Sequence, residues 1–118
     1  MRVFETTAVV VGMALVLSGS AFAAGAGGDA KKGKMLFDDP TFAGGSVSCS
    51  SCHPDGKGLE KTGMKGKKVW KNPAGMWLSL EDASNVCIVL ANKGTAIDPK
   101  SAEMKDLVAY IRSLSMKK

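Results

Sequence analysis

Cys49-Ser50-Ser51-Cys52-His53 is the five-residue stretch from which the architecture of this chain can be inferred. Its spacing, Cys-x-x-Cys-His, is the attachment pattern of a c-type haem. Each thiol is spaced to form a thioether with one haem vinyl group, and His53 is placed to bind the iron from the proximal side. His53 is the single histidine among 118 residues, so no other imidazole competes for the iron. The motif predicts one covalently attached haem c.

Three other interpretations of a Cys-x-x-Cys pair fit this chain less well than haem attachment. A thioredoxin-type dithiol requires a surrounding βαβ pattern, which the sequence lacks. A zinc site needs four ligands, and Cys49, Cys52, His53 and Cys87 are the soft ligands of the chain. A histidine directly after the second cysteine is badly placed to complete a tetrahedron with both thiols. A disulfide framework leaves one of three cysteines over, so haem attachment explains the motif best.

The N-terminal segment has the three parts of a secretory signal. It has a positive start at Arg2, an apolar run over 8–17 and a small-residue cleavage site ending at Ala23. The apolar run is too short to span a bilayer comfortably, although an uncleaved anchor is the alternative. We predict a signal peptide over 1–23 and one small domain over 24–118. The expected location is periplasmic, with no stable membrane insertion after cleavage.

Three amphipathic stretches predict an all-α domain. Asp29, Ser79 and Ser101 are N-cap residues by type, and each precedes apolar residues at helical spacing. The first predicted helix covers 29–38. The second is expected to run from Ser79 to about Lys93, because the following glycine is favourable after a helix C-terminus. The third extends from Ser101 towards the end of the chain.

Helical spacing also predicts which side chains are buried. Ala83, Cys87 and Leu90 fall on one face of the second helix. Residues 54–73 are predicted to form a loop that Trp70 anchors, and no segment has a convincing strand pattern. The last helix carries a long apolar stripe: Met104, Leu107, Val108, Tyr110, Ile111 and Leu114. A domain this small makes a marginal core unaided, so a covalent haem would complete it.

This arrangement resembles the class I cytochrome c fold. Gly33 and Phe37 on the first helix, with Leu107 and Tyr110 on the last, resemble the crossing of the terminal helices in that family. There, the glycine lets the helices approach and the aromatic rings pack at the crossing. The resemblance implies a small helical domain packed around one covalent haem.

The expected distal ligand of that family is missing. Ordinary class I cytochromes have a methionine in the loop before the last helix, but the loop over 92–99 contains none. Residues 64–66, 79–87 and 101–104 resemble the haem domains of SoxA and thiosulfate dehydrogenase-type cytochromes. In that group a cysteine after an Ile-Asn-x segment is an axial ligand. Cys87 stands at the matching position, although Ser84 replaces the isoleucine.

The resemblance therefore favours Cys87 as distal ligand, and several alternatives stay open. A lone cysteine on an apolar helix face is ordinarily a small buried hydrophobic residue. Met76, Met64 and Met104 are the rival thioether ligands, and Met104 is placed for core packing on the last helix. The sixth position could also be vacant. A thiolate would favour Fe(III) and lower the reduction potential, whereas a thioether would raise it.

A lysine-rich segment follows the haem motif. In a chain of net charge +5, such a segment is either a solvated loop or a docking patch for acidic redox partners. An exported haem protein is not expected to bind nucleic acid, and an anionic membrane surface is a weak second partner. The lysines are Lys57, Lys61, Lys65, Lys67, Lys68 and Lys71.

The leading functional prediction is a non-enzymatic electron carrier whose iron cycles between Fe(III) and Fe(II) with both axial positions filled. The chain has no second histidine, paired-carboxylate motif or phosphate loop that would indicate catalysis. The alternative, implied by the narrower resemblance, is a haem subunit of a thiosulfate-oxidising system. A ligand-binding sensor haem is the third hypothesis, and it requires an open sixth position.

Overall fold

The computed structural model describes residues 27–72 and 74–116. The signal peptide predicted over 1–23 lies outside the described residues and stays a prediction. No helix in the described ranges combines the length and hydrophobicity needed to cross a bilayer. The regular elements, in chain order, are helix α1 (Ala30–Asp38), strands β1 (Trp70–Asn72) and β2 (Gly75–Trp77), and helices α2 (Leu80–Leu90) and α3 (Ala102–Leu114).

The predicted N-caps are confirmed at all three helices. The Asp29 carboxylate accepts hydrogen bonds from the amides of Lys31 and Lys32, at 2.8 and 3.3 Å. The Ser79 hydroxyl accepts from the Asp82 amide at 3.1 Å, and the Ser101 hydroxyl caps α3 in the same way. These bonds satisfy amides that have no partner within the helix, so each helix begins where its capping residue stands.

Helices α1 and α3 cross in close contact within the core. A Cβ atom added to Gly33 would overlap the Asp106 carbonyl and come within 2.8 Å of the Tyr110 Cβ. The Phe37 and Tyr110 rings meet edge to face, with centroids 5.0 Å apart and planes at 62°. The predicted crossing is therefore confirmed, and the apolar stripe of α3 is buried as expected.

Helix α2 ends earlier than predicted. We expected it to continue to about Lys93, but its last residue is Leu90. Lys93 adopts a left-handed conformation (φ 64°), and the Gly94 amide donates to the Ile88 carbonyl at 2.8 Å. This tight turn closes the helix before the glycine. Leu90 is exposed rather than buried, because the face of α2 that enters the core carries Leu80, Ser84 and Ile88.

A small antiparallel hairpin contradicts the expectation that the chain has no strand. Trp70 pairs with Trp77 and Asn72 with Gly75. Strands of three residues are too short for period-2 alternation to show in a sequence. The predicted anchor is present: Trp70 is buried, and its indole N–H donates to the Thr62 carbonyl at 2.7 Å. The fold is thus mostly helical, a class I cytochrome architecture with one short hairpin.

Candidate haem site

The helices and the hairpin surround a cavity of about 460 Å³. This volume lies within the range of ligand and cofactor pockets in proteins. Every helix and β1 contribute apolar side chains to its wall, so a bound group would be largely shielded from water. These side chains are Phe37, Trp70, Leu80, Ile88, Leu107 and Ile111.

The cavity brings together the four residues predicted to attach the haem or bind its iron. Cys49, Cys52 and His53 come from one segment, and Cys87 comes from α2. A 3₁₀ turn begins at Cys49, whose carbonyl accepts from the amides of Cys52 and His53 at 3.2 and 3.0 Å. Because this turn is so tight, both thiols and the imidazole reach the same cavity.

A backbone hydrogen bond sets the orientation and the tautomer of His53. Its Nδ1 lies 3.0 Å from the Lys57 carbonyl oxygen. A carbonyl can only accept, so Nδ1 donates this hydrogen bond, and in the neutral imidazole Nε2 then keeps a free lone pair. Asp55 and Gly56 take left-handed conformations (φ 54° and 79°) in the turn that brings Lys57 back to the ring. The neutral imidazole is therefore prepared to bind a metal through Nε2.

Cys87 is the cysteine that α2 contributes to the cavity. The residue is exposed, yet surrounding protein atoms raise the pKa of its thiol, with a smaller contribution from Cys52. Burial is also the main cause that raises the pKa of Cys49, and Cys87 contributes to that shift. All three cysteines line a single cavity, which is an arrangement suited to a group that several of them hold.

The zinc alternative finds no support in the geometry. Structural zinc requires four ligands placed tetrahedrally around one ion. Within 27–72 and 74–116, no three histidine, cysteine, aspartate or glutamate side chains are grouped closely enough to hold a metal ion. The cysteines and His53 instead surround a cavity far larger than a single ion.

The three methionines considered as distal ligands do not line the cavity. Met64 lies half exposed in the lysine-rich loop. Met76 is in β2, opposite Lys71, and 59% of its surface is exposed. Met104 is fully buried at 0% exposure, where it packs in the core of α3. Among the residues named from the sequence as distal ligands, Cys87 is the one that reaches the cavity.

Sequence reasoning did not identify Asn92, which links the two sides of the site. Asn92 is 4% exposed, and its side-chain amide donates to the Cys49 sulfur at 3.2 Å. Its carbonyl accepts from the amides of Ser46 and Val47 at 2.9 and 3.3 Å. No sequence pattern marked this residue, because its contacts join segments that are distant along the chain.

Asn85 is a second positioning residue, and it fixes α2 to the loop before α3. Its side-chain amide donates to the Ile97 carbonyl and its side-chain oxygen accepts from the Ile97 amide, both at 2.8 Å. Ser84, the departure from the usual isoleucine, is buried and lines the cavity. Asn85 belongs to the segment that resembles the sulfur-oxidising cytochromes, and this was the one signal that could have found it.

The lysines after the haem motif are all exposed. Lys67 and Lys71 also line the cavity. The ion pair found in the described ranges, Lys34–Asp38, lies elsewhere, on α1. The segment that carries the lysines is itself fixed to the core, because Gly63 packs against the backbone of Arg112. The lysine side chains therefore lie beside the cavity on a segment that packs against α3.

The residues of the site fit a covalently bound haem. Two thiols and an imidazole with a free Nε2 enter one cavity, and an apolar wall surrounds them. Thioether attachment and a proximal histidine are the bonds by which a c-type haem is held. On this fold, the combination defines a c-type cytochrome domain, which binds haem c covalently and transfers electrons.

The chain belongs to the SoxA/TsdA cytochrome c domain family, whose sequence model matches residues 32–118. The match covers all three helices apart from the first two residues of α1, and it includes the haem motif and Cys87. Neither a search of curated proteins nor a search of solved structures found a significant match. The narrower of the two resemblances inferred from the sequence is thereby confirmed.

Proposed function

We propose that this protein is an exported, periplasmic electron carrier with a single haem c, held axially by His53 and Cys87. The observation that carries the proposal is the entry of both side chains, from separate segments, into one cavity. Export is supported by the predicted signal over 1–23 and by membership of a family whose cytochromes are typically exported.

Each residue has a distinct part in this proposal. Cys49 and Cys52 would hold the haem covalently, and His53 would bind its iron through Nε2. The bound haem supplies a one-electron Fe(III)/Fe(II) couple. Cys87 as thiolate donates charge and favours the oxidised state, and axial ligation moves haem potentials over about 0.8 V. The apolar wall excludes water, and Asn92 fixes the Cys49 sulfur.

The sixth ligand is tested by optical and EPR spectra of the oxidised holoprotein, compared with those of Cys87→Ala. We expect a low-spin spectrum that lacks the near-infrared band of His/Met haem. Cys87→Ala should change this spectrum and raise the reduction potential, because the donating thiolate is lost. Met76→Ala is the matched control and should leave both unchanged. A His/Met band that persists in Cys87→Ala would contradict the proposed ligation.

Membership of the family supports one second candidate function. SoxA/TsdA cytochrome domains belong to enzyme systems, so this chain could act as the haem subunit of a thiosulfate-oxidising system. Thiosulfate-dependent reduction of the purified holoprotein would favour that role. Normal electron exchange with a small donor, without reduction by thiosulfate, would favour the carrier. Rapid CO binding to the reduced protein would instead indicate an open sixth position.

The lysines beside the cavity support a proposal about partners. Lys67 and Lys71 stand at the cavity itself, and the neighbouring lysines extend the positive surface. Opposite charge on a redox partner would steer association and raise its rate, with a strong dependence on salt. We expect the association rate with an acidic electron-transfer protein to fall as ionic strength rises and to fall further in Lys67→Glu.

A further inference from the structure

Ser84 contributes a buried hydroxyl to the wall of the haem cavity. The residue is 8% exposed, and it lines the cavity together with Cys87, which follows it by three positions in α2. Residues three apart in an α-helix are neighbours on its surface. Ser84 and Cys87 therefore border the cavity from the same side of α2.

The Ser84 hydroxyl has no hydrogen-bond partner in the part of the chain that the structure describes, although polar neighbours in the same helix are paired. The Ser79 hydroxyl accepts from the Asp82 amide. The Asn85 side chain binds both the amide and the carbonyl of Ile97. A serine within a helix can donate to the carbonyl four residues earlier, but Ser84 does not do so. A buried hydroxyl without a partner is destabilising, so Ser84 lacks an acceptor that the site must supply.

The neighbouring residues of α2 limit the choice of that acceptor. Leu80, Ala83 and Ile88 also line the cavity, and their aliphatic side chains cannot accept a hydrogen bond. Side chains on a helix lean towards its N-terminus, over the preceding turn. The Cys87 side chain consequently leans towards the turn that carries Ser84. Along α2, the Cys87 sulfur is the side-chain acceptor of the cavity wall.

Iron binding would change the Cys87 sulfur from a weak acceptor into a strong one. Cys87 is a free cysteine here, no hydrogen bond joins it to Ser84, and the sulfur of a neutral thiol accepts weakly. A cysteine binds metal as the thiolate, and hydrogen bonds to charged acceptors are roughly twice as strong as neutral ones. The serine hydroxyl is redirected by rotation about a single bond, so one rotamer change can aim it at the sulfur.

We propose that Ser84 is a positioning residue for the distal ligand and donates a hydrogen bond from its hydroxyl to the Cys87 thiolate. The inference rests on the proposed function, because it requires Cys87 to bind the iron. The hydrogen bond withdraws charge from the sulfur, so the thiolate donates less charge to the iron. Ser84 thus raises the reduction potential above the value that an unassisted thiolate would set.

Ser84→Ala in the purified holoprotein tests this assignment, because it removes the hydroxyl and keeps a good helix-forming residue. We expect the reduction potential to fall by about 59 mV, which corresponds to a tenfold change in a one-electron equilibrium. The Fe(III)–sulfur stretching frequency, measured by resonance Raman spectroscopy, should rise because the bond strengthens. Ser84→Thr keeps the hydroxyl and should remain near the wild-type protein in both measurements.

Two comparisons separate a hydrogen bond to Cys87 from a merely structural role. When Cys87→Ala is already present, adding Ser84→Ala should leave the reduction potential unchanged, because the acceptor is absent. Ser113→Ala is the matched control, since the Ser113 hydroxyl donates to the Tyr110 carbonyl at 2.6 Å and Ser113 does not line the cavity. It should leave both the potential and the stretching frequency at their wild-type values.

The possible failures of this inference and of the proposed function are distinguishable. An unchanged potential and stretching frequency in Ser84→Ala would overturn the inference alone, provided that Cys87→Ala changes the oxidised spectrum. An equal fall in potential on adding Ser84→Ala with and without Cys87 would also overturn it alone. Identical oxidised spectra of the wild-type protein and Cys87→Ala would instead overturn the proposed ligation, and the inference with it.

Discussion

The two sides of the haem cavity are built differently. The proximal side is a continuous segment, in which the Cys49 carbonyl and the Lys57 carbonyl fix the motif through local hydrogen bonds. The other side carries Cys87, the proposed distal ligand, whose position requires α2 to pack through Ile88 and to be tied to the loop before α3 through Asn85. A local motif can specify half of a site, whereas the other half exists only once the chain has folded.

The largest expected effect is on the proximal side. Replacing both cysteines, Cys49→Ser and Cys52→Ser, should abolish covalent haem, because a hydroxyl does not form the thioether bond. Denaturing electrophoresis with haem staining measures this directly. Cys87→Ser is the matched control, since it also removes a cavity thiol, and it should retain covalent haem. Loss of attached haem in Cys87→Ser would contradict the division of the site into an attaching and a ligating side.

That division explains what the sequence alone could predict. The motif residues and the helix caps depend on neighbours within a few positions, so Asp29, Ser79 and Ser101 were identified correctly. The α1–α3 crossing was also predicted, because a resemblance marked Gly33 and its partners. Cys87 was singled out by resemblance too, since its helical spacing alone indicated an ordinary buried residue.

The features that were missed depend on contacts between distant segments. Asn92 contacts Cys49 across the cavity, and the residues next to Asn92 in the sequence give no indication of that contact. The hairpin was missed because each strand has three residues, and its pairing of Trp70 with Trp77 is visible only in three dimensions. The predicted C-terminus of α2 lay too far along the chain. Lys93, which is not a glycine, takes the left-handed conformation before Gly94, the residue expected to end the helix.

The crossing of α1 and α3 supports both sides of the haem cavity. A substitution that weakens this crossing should therefore destabilise both sides together. Gly33→Val would force side-chain atoms into the Asp106 carbonyl and the Tyr110 side chain. We expect the free energy of unfolding of the holoprotein to fall by about 3 kcal/mol, the upper part of the range for overpacking. Urea denaturation followed by far-UV circular dichroism measures the loss. Ala30→Val, at the start of the same helix, controls for the β-branched residue and should cost much less.

Asn92 joins the two sides of the haem cavity, and its replacement should have an effect of intermediate size on stability. Asn92→Ala deletes the hydrogen bond to the Cys49 sulfur and leaves a small buried void. The expected loss of stability is about 1–2 kcal/mol. Because the amide of Asn92 contacts the sulfur of Cys49, which we propose attaches the haem, the reduction potential should shift while covalent attachment persists.

Asn85→Ala provides the contrast for that experiment. It breaks both hydrogen bonds to Ile97, so a loss of about 1–2 kcal/mol is expected here too. Asn85 does not line the cavity, and its effect should be confined to α2 and the loop it holds. Identical potentials in Asn92→Ala and the wild-type protein would show that Asn92 has a structural role only.

The smallest expected effect on stability comes from Asp29, at the start of α1 and away from both sides of the haem cavity. Backbone hydrogen bonds from Lys32 and Lys31 hold the pKa of Asp29 below its ordinary value of 3.8. A carboxylate with a lowered pKa in the folded protein stabilises it above pH 3.8, and this contribution is lost as the pH falls through the folded pKa. Asp29→Asn keeps a capping oxygen but does not ionise, so it should remove this part of the pH dependence.

Thermal melts of the two proteins at about pH 6 and about pH 2 measure that difference, because the stabilisation is present at the first pH and lost at the second. Asp29→Asn should nearly match the wild-type protein at the higher pH and lose less stability on acidification. Asp29→Ala, which lacks a capping atom, should be less stable at the higher pH, where the wild-type cap is intact. An equal acid-induced loss in Asp29→Asn and wild type would mean that the cap does not contribute through ionisation. Asp29 lies outside the cavity. All three proteins should therefore carry covalent haem and show the same oxidised spectrum at neutral pH. The Asp29 variants thus provide the reference spectra with which the spectra of the Cys49 and Cys87 variants are compared.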